Sequence, residues 1–300
     1  MADDHTISRE EYWADKGGVK LCLYRKYQGS PEGKPVLFLV HGSSMSALPA
    51  YDLQVPSRGS QYSVMDQCAL HGYDVWTMDH EGYGRSGRTE NNSNVSQGAD
   101  DLRAAMPVVE KHTRASGFYF YGQSSGSLRA ALFAQQQPAS VRRLVLDAFV
   151  WTGEGSPTLA KRRERLSEWR SNHVRAIDKD MIRSIFTRDK PGTTEPQVVE
   201  AAAEAQLSYG PLIPTGTYVD MCANLPLVDP SKVQAPTLII RGEHDGIATL
   251  ADLAAFFTRL PNSDKQLVVI PDCAHVAPLG QDSSRFYRAM FAFLDAGKTG

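Results

Sequence analysis

Six short, mostly apolar runs, at residues 36–40, 75–78, 118–121, 144–146, 237–240 and 267–270, are separated along most of the chain by longer amphipathic stretches. Continuous apolar runs of this length suit strands buried on both faces, which is the habit of parallel sheets. Strands that alternate with helices need crossover connections, so the pattern predicts a parallel sheet with helices layered on it. One helical stretch starts near Ser96 and places Leu102, Ala105, Met106 and Val109 on one face. Another runs from Ser124 through Leu128, Ala131 and Leu132 to a stop at Pro138, and two more are expected over 250–260 and 284–294. Ahead of the first apolar run, alternation after Gly17-Gly18 predicts an antiparallel hairpin at the sheet edge.

The alternation breaks between residues 151 and 229, which contain no convincing strand and read as several helices, one of them strongly basic at 161–170. The chain therefore divides into an α/β core, residues 1–150 and 230–300, and a helical insertion, 151–229. A block inserted there is expected to cover the carboxyl edge of the sheet, where open α/β folds bind ligands.

The formal net charge of −2 gives no electrostatic case for nucleic acid or an anionic membrane surface. No apolar run approaches the roughly 20 residues that span a bilayer, and the first residues lack the pattern of a secretory signal. Cys22, Cys68, Cys222 and Cys273 are scattered without a CxxC pair. They are expected to be reduced thiols of a cytoplasmic protein, with no metal bound. Nothing in the sequence bears on oligomeric state.

Gly122-Gln-Ser124-Ser-Gly126 lies where a strand gives way to a helix. Gly-x-Ser-x-Gly in that setting is a nucleophile elbow, whose tight turn needs small neighbours around a strained serine. A serine hydroxyl is a weak nucleophile until a base removes its proton. His275, in the loop after the last apolar run and before the final helix, stands where that base is needed. His5 falls in an unanchored terminus, and His71 and His112 in helical surroundings. Asp245, just after the run at 237–240, is the expected acid that orients the imidazole, giving the order Ser…Asp…His. Asp147 and Glu243 are its rivals. The backbone N–H of Ser125, at the helix start, and that of Ser43, after His41-Gly42, are the expected oxyanion donors, with Ser44 an alternative to Ser43. His41 reads as a structural hydrogen-bonder under that turn.

Four motifs, His41-Gly42-Ser43, Asp79-His-Glu-Gly82-Tyr-Gly84-Arg-Ser86, Gly122-x-Ser124-x-Gly126, and Gly242-Glu-His-Asp245 with Asp272-Cys-Ala-His275, occur in that order. As a set they resemble the α/β-hydrolase-fold serine hydrolases, in the branch of small capped esterases and monoacylglycerol-lipase-like enzymes. The resemblance covers roughly residues 20–150 and 230–298. It implies an eight-stranded, mostly parallel sheet flanked by helices with a helical cap, and a structural loop at 79–86. The segment 44–63 is longer than the usual connection and is expected either to rim the pocket or to be a surface excursion. The region 151–229 matches no particular cap.

A serine nucleophile speaks against dehalogenases and epoxide hydrolases of the same fold, and ester hydrolysis is the chemically easiest use of such a triad. A small-molecule ester is therefore the expected substrate, and no cofactor is implied. The alternatives are acyl transfer or perhydrolysis, carbon–carbon bond hydrolysis, and a ligand receptor with little turnover. Ser44, Trp151, Trp169 and Tyr218, with Tyr209 and Met221, are expected to contribute a pocket, although most such aromatics simply fill a core. Lys161, Arg162, Arg163, Arg165 and Arg170 either form a solvated face with Glu164 and Glu168 or hold a substrate carboxylate, which would make the substrate an acid-bearing monoester.

Overall fold

The computed structural model describes residues 6–56 and 58–298; His5 lies outside the described residues. Ten strands occur among them: β1 (Ile7–Lys16), β2 (Val19–Gln28), β3 (Val36–Val40), β4 (Asp74–Met78), β5 (Phe118–Gln123), β6 (Val141–Asp147), β7 (Val174–Ala176), β8 (Leu212–Pro214), β9 (Thr237–Gly242) and β10 (Lys265–Ile270). Eight form one sheet in the order β1-β2-β4-β3-β5-β6-β9-β10. β1 and β2 form the expected antiparallel edge hairpin, β2 runs antiparallel to β4, and every later pairing is parallel.

Each apolar run of the sequence falls inside one of these strands. β3, β4, β5 and β9 are buried at every residue, whereas β10, at the edge, is only partly covered. The two faces carry separate apolar layers. One packs helices Val64–Leu70 and Ser283–Asp295 against the sheet; the other packs Val95–Thr113, Ser125–Gln136 and Leu250–Arg259. Leu102, Ala105, Met106 and Val109 are buried as the helical periodicity predicts. That helix starts at a capping box, in which the Asn94 side chain accepts from Gln97 N–H and the Gln97 side chain accepts from Asn94 N–H.

Between β6 and β9 the chain forms helices Pro157–Arg163, Leu166–Ser171, Lys179–Thr187, Pro196–Leu207 and Gly216–Ala223. Two expectations are corrected here. The segment is not purely helical, since β7 and β8 pair antiparallel. The basic stretch 161–170 is not one helix: it breaks at Glu164-Arg165, where Arg165 has φ −110° and ψ 18°. The segment is tied to the core by hydrogen bonds from Val95 N–H to Asp220, Gly216 N–H to Asn92 O, and Ser46 N–H to Gln206, at 2.8, 2.7 and 2.7 Å.

Residues 44–63 contribute to the pocket rim and, rather than making a surface excursion, bury side chains in the core. Ser44, Met45 and Ala50 face the candidate site, while Leu53, Val55 and Tyr62 are buried in the core. Nearby, the buried Lys26 ammonium donates to Asp52 and Asp66 at 2.6 and 2.7 Å. All four cysteines are buried and unpaired, and no helix among the described residues is long and apolar enough to cross a membrane.

Candidate active site

Ser124 sits between β5 and helix Ser125–Gln136 with φ 57° and ψ −124°, a backbone conformation rarely taken by a residue with a Cβ. The flanking glycines explain how the turn is tolerated. A Cβ on Gly126 would stand 2.0 Å from Val40 O, and one on Gly122 would stand 2.5 Å from Gly126 O. Two hydrogen bonds lock the elbow to the end of β6: Ser124 N–H to Asp147 O at 2.9 Å, and Ser127 Oγ–H to the same carbonyl at 2.7 Å.

The loops after β9 and β10 run side by side. Gly242 permits this, because a Cβ there would meet Ala274 O at 2.3 Å and Cys273 O at 2.6 Å. His244 N–H donates to Cys273 O, and Asp272 N–H to the Glu243 carboxylate, at 2.9 and 3.0 Å. The buried Arg241 guanidinium organises the acid-bearing loop by donating to the carbonyls of Gly242, Glu243, Asp245 and Ala248. Sequence reasoning passed over Arg241, which reads there as an ordinary strand residue.

These loops bring the three distant side chains together. His275 Nε2 lies 3.1 Å from Ser124 Oγ, and His275 Nδ1 lies 2.9 Å from Asp245 Oδ1. All three residues are less than 10% exposed. An ionised Asp245 has no proton to give, so Nδ1–H is the donor and Nε2 is left to accept the Ser124 hydroxyl proton. Burial alone would raise the Asp245 carboxyl. The facing His275, the Ile247 N–H at 3.0 Å and the Arg188 charge outweigh it, and the pKa lies below the ordinary carboxylate value.

Neither rival acid is in place. Asp147 Oδ2 accepts from Tyr121 Oη and Gln123 Nε2 at 2.7 and 3.2 Å, and burial, with the Asp245 charge, pushes its pKa up to about 8. Glu243 is spent on the Asp272 N–H.

Gly42 lies against Ser124: a Cβ there would be 3.3 Å from Ser124 Cβ. The turn it begins is held from below. Asp79 accepts from Ala47 N–H and Tyr24 Oη at 2.8 Å each, and Tyr83 Oη donates to Ser43 O at 3.1 Å. His41 Nε2 accepts from His80 N–H, so its Nδ1–H donates to Gly42 O; burial, with the charges of His80 and Arg129, holds His41 neutral. Among the described residues, no hydrogen bond occupies the backbone N–H of Ser43 or of Ser125.

Ser124 and His275 line a cavity of about 30 Å³ with Gly42, Ser43 and Ser44. Its wall includes Arg162, Ile185 and Arg188, which also line a larger cavity of about 760 Å³ beside it. Trp169 and Tyr218 line the larger cavity, and Ser44 Oγ lies 3.3 Å from Tyr218 Oη. Trp151 is not brought to the site. Its indole donates to Val228 O and packs on Phe256 and Arg259, because the backbone of residues 151–153 is pinned by Asp252 at the start of helix Leu250–Arg259. Tyr209 lines a different surface cleft, and Met221 is core. Of the five basic candidates, Arg162 reaches the site, Lys161 and Arg165 line the larger cavity, and Arg163 and Arg170 point elsewhere. Arg175 and Arg188 were not singled out in the sequence.

The family model described as serine aminopeptidase, S33 matches residues 57–279. A monoacylglycerol lipase of Mycolicibacterium smegmatis is 23% identical over 274 residues, 89% of this chain and 89% of that one. Among solved structures, a malate-bound thermophilic esterase from Thermogutta terrifontis superposes with a TM-score of 0.70 at 20% identity, covering 97% of this chain and 99% of that chain. An E-2-(acetamidomethylene)succinate hydrolase superposes with a TM-score of 0.70 at 18% identity, covering 96% and 100%. Both structural likenesses are likenesses of fold.

Proposed function

This chain belongs to the serine aminopeptidase S33 family of α/β-hydrolase-fold hydrolases, and from that premise we propose that it cleaves a carboxylic ester through an acyl-enzyme on Ser124. The observation that carries the proposal is the continuous relay from Ser124 Oγ through His275 to Asp245, at 3.1 and 2.9 Å.

In this mechanism Ser124 Oγ bonds to the ester carbonyl carbon while His275 Nε2 takes the hydroxyl proton and the carbonyl π pair moves onto oxygen. The N–H groups of Ser43 and Ser125 receive that oxyanion, and Asp245 stabilises the imidazolium. The intermediate collapses as the C–O bond to the alcohol breaks, with the His275 proton going to the leaving oxygen. Water, deprotonated by the same Nε2, then attacks the acyl-enzyme; the carboxylic acid leaves and Ser124 recovers its proton. Residues 151–229 act as a cap that closes the carboxyl edge of the sheet over this chemistry.

An aminopeptidase would have to bind a cationic amino terminus next to the scissile carbonyl. The small cavity instead has Arg162 and Arg188 in its wall and no carboxylate among its lining residues, Asp245 and Asp189 both lying behind His275. Like charge disfavours that substrate. The test is hydrolysis of a panel of simple esters and aminoacyl amides by the protein and by Ser124→Ala. Ester turnover that falls by roughly three to six orders of magnitude in the variant is expected. Preferred cleavage of the amides, or near-normal ester rates in Ser124→Ala, would overturn the reading.

A further inference from the structure

We propose that the ester bears a free carboxylate, and that the guanidinium groups of Arg162, Arg175 and Arg188 receive it in the cavity beside Ser124. The assignment rests on the ester-hydrolase reading above and adds to it the class of substrate.

The three arginines arrive from separate elements of the inserted segment. Arg162 comes from helix Pro157–Arg163, Arg175 from β7, and Arg188 from the C-cap of helix Lys179–Thr187. All three line the larger cavity, and Arg162 and Arg188 are shared with the small cavity that holds Ser124 and His275. A molecule with its carbonyl at Ser124 and its remainder in the larger space therefore borders Arg162 and Arg188.

Much of their hydrogen-bonding capacity is unspent. Arg162 Nη1, Arg175 Nε, and Arg188 Nε and Nη2 are buried without a hydrogen-bond partner. Arg175 is 6% exposed, and among the described residues its hydrogen bonds come from Nη2 alone, to Ser43 O at 3.3 Å and Ser44 Oγ at 2.9 Å. Buried cations are normally paired, and an unpaired one is held at a loss.

Internal anions do not fill the gap. Apart from the triad's Asp245, whose Oδ1 accepts from His275 Nδ1–H and Ile247 N–H while its Oδ2 has no partner, the carboxylates here are Asp178 and Asp189. Asp178 caps its own helix by accepting from Met181 N–H. Asp189 approaches Arg188 Nε at 3.5 Å without making a hydrogen bond. Glu168 is taken by Arg165 at 2.6 Å. Three guanidinium groups thus face two incompletely paired acids, Asp189 and Asp245, and still outnumber them.

Tyr218 reports the resulting field. Arg175 and Arg162 lie over its ring at 4.0 and 4.2 Å. Burial would push its phenol up, yet Arg162 and Arg175, the Ser44 hydrogen bond and Arg188 bring it down to about 7. A planar carboxylate matches the planar fork of arginine, and an acid-bearing ester would supply the missing charge.

Arg175 also links this anion site to the chemistry, because its contacts are Ser43, the proposed oxyanion residue, and Ser44. A carboxylate that draws Arg175 into place orders the oxyanion turn at the same time. Arg175 then binds the carboxylate with Arg162 and Arg188 and also positions the oxyanion turn.

The test compares kcat/KM, by pH-stat, for monomethyl esters of straight-chain dicarboxylic acids against methyl esters of neutral acids of equal length, with phosphate-bearing esters of similar length as a third arm. Acid-bearing esters should exceed the neutral ones by about tenfold or more at the favoured chain length, as expected for a charge-assisted contact. Arg162→Met and Arg188→Met should each cut the acid-to-neutral ratio by about tenfold, mainly through KM, with the Lys variants recovering part of it. Free dicarboxylates should inhibit the unaltered protein competitively, a readout that does not depend on any variant folding. Equal or better turnover of the neutral esters at every length, with Ser124 still labelled by a phosphonate, overturns the carboxylate site alone. Preference for the phosphate-bearing arm overturns the carboxylate in favour of another anion. Failure of all esters together with failure of labelling removes the hydrolase reading and the site with it.

Discussion

Replacing Asp245 by Asn removes one charge while leaving the shape of the relay nearly unchanged. Asp245 Oδ1 accepts from His275 Nδ1–H at 2.9 Å and Ile247 N–H at 3.0 Å, and Oδ2 is buried without a partner. An amide whose oxygen takes the Oδ1 place keeps both acceptances and puts its NH₂ where nothing is displaced. What is lost is the attraction between the carboxylate and the imidazolium that forms as Ser124 attacks. At about 4 Å between charge centres and an effective dielectric constant of about 20, that attraction is about 4 kcal/mol. At about 1.4 kcal/mol per decade, kcat should fall roughly a thousandfold.

Asp147→Asn is the matched control. Asp147 is pushed up to about 8 by burial and by Asp245, so at neutral pH it already carries a proton and Asn imitates its charge. Its kcat should change by no more than about threefold, because no transition-state charge is removed. The assay is steady-state hydrolysis of one ester by both variants at pH 7, with thermal melts to verify folding. A loss in Asp147→Asn that equals the loss in Asp245→Asn, or an Asp245→Asn enzyme within about tenfold of normal, would refute the assignment of the acid.

Asp147 also makes a prediction for stability. Its folded-state pKa lies above the ordinary carboxylate value, so its contribution is fully present below about pH 4 and is lost as pH rises through about 8; Tm of Asp147→Asn should decline less over that window than Tm of the unaltered protein. Tyr218 should give a phenolate ultraviolet difference signal with a midpoint near 7 that is absent in Tyr218→Phe and shifts upward in Arg162→Met; a midpoint near 10 would show that the arginines do not act on it. Gly126→Ala places a Cβ 2.0 Å from Val40 O, so it should abolish folding or lower Tm steeply, and a variant with normal Tm and activity would contradict the geometry of the elbow. Arg241→Met should lower kcat and slow phosphonate labelling with little change in KM, since four loop carbonyls lose their donor but no substrate contact is removed.

The parts of the molecule that were legible in the sequence are those specified by local pattern. Buried parallel strands are apolar over their whole length, so β3, β4, β5 and β9 stand out in a single sequence. The elbow is written in five consecutive residues because its steric demands fall on Gly122 and Gly126, two positions to either side of Ser124. What lay hidden depends on contacts between distant segments. β7 and β8 are three residues each and exist only because the chain between them folds back. Trp151 leaves β6 close to the site, but it is Asp252, a hundred positions on, that turns it away. Arg162, Arg175 and Arg188 carry no shared motif, and the basic run at 161–170 drew notice to neighbours such as Arg163 and Arg170 that the broken helix directs elsewhere.

The central claim, that residue 124 is the nucleophile of a working relay, is tested most directly by a serine-reactive phosphonate followed by intact-mass and peptide-mapping spectrometry. One adduct per chain, carried on Ser124, absent in Ser124→Ala and slowed strongly in His275→Ala, is the predicted result. A folded protein that takes the adduct on another residue, or that labels at the same rate without His275, contradicts the account.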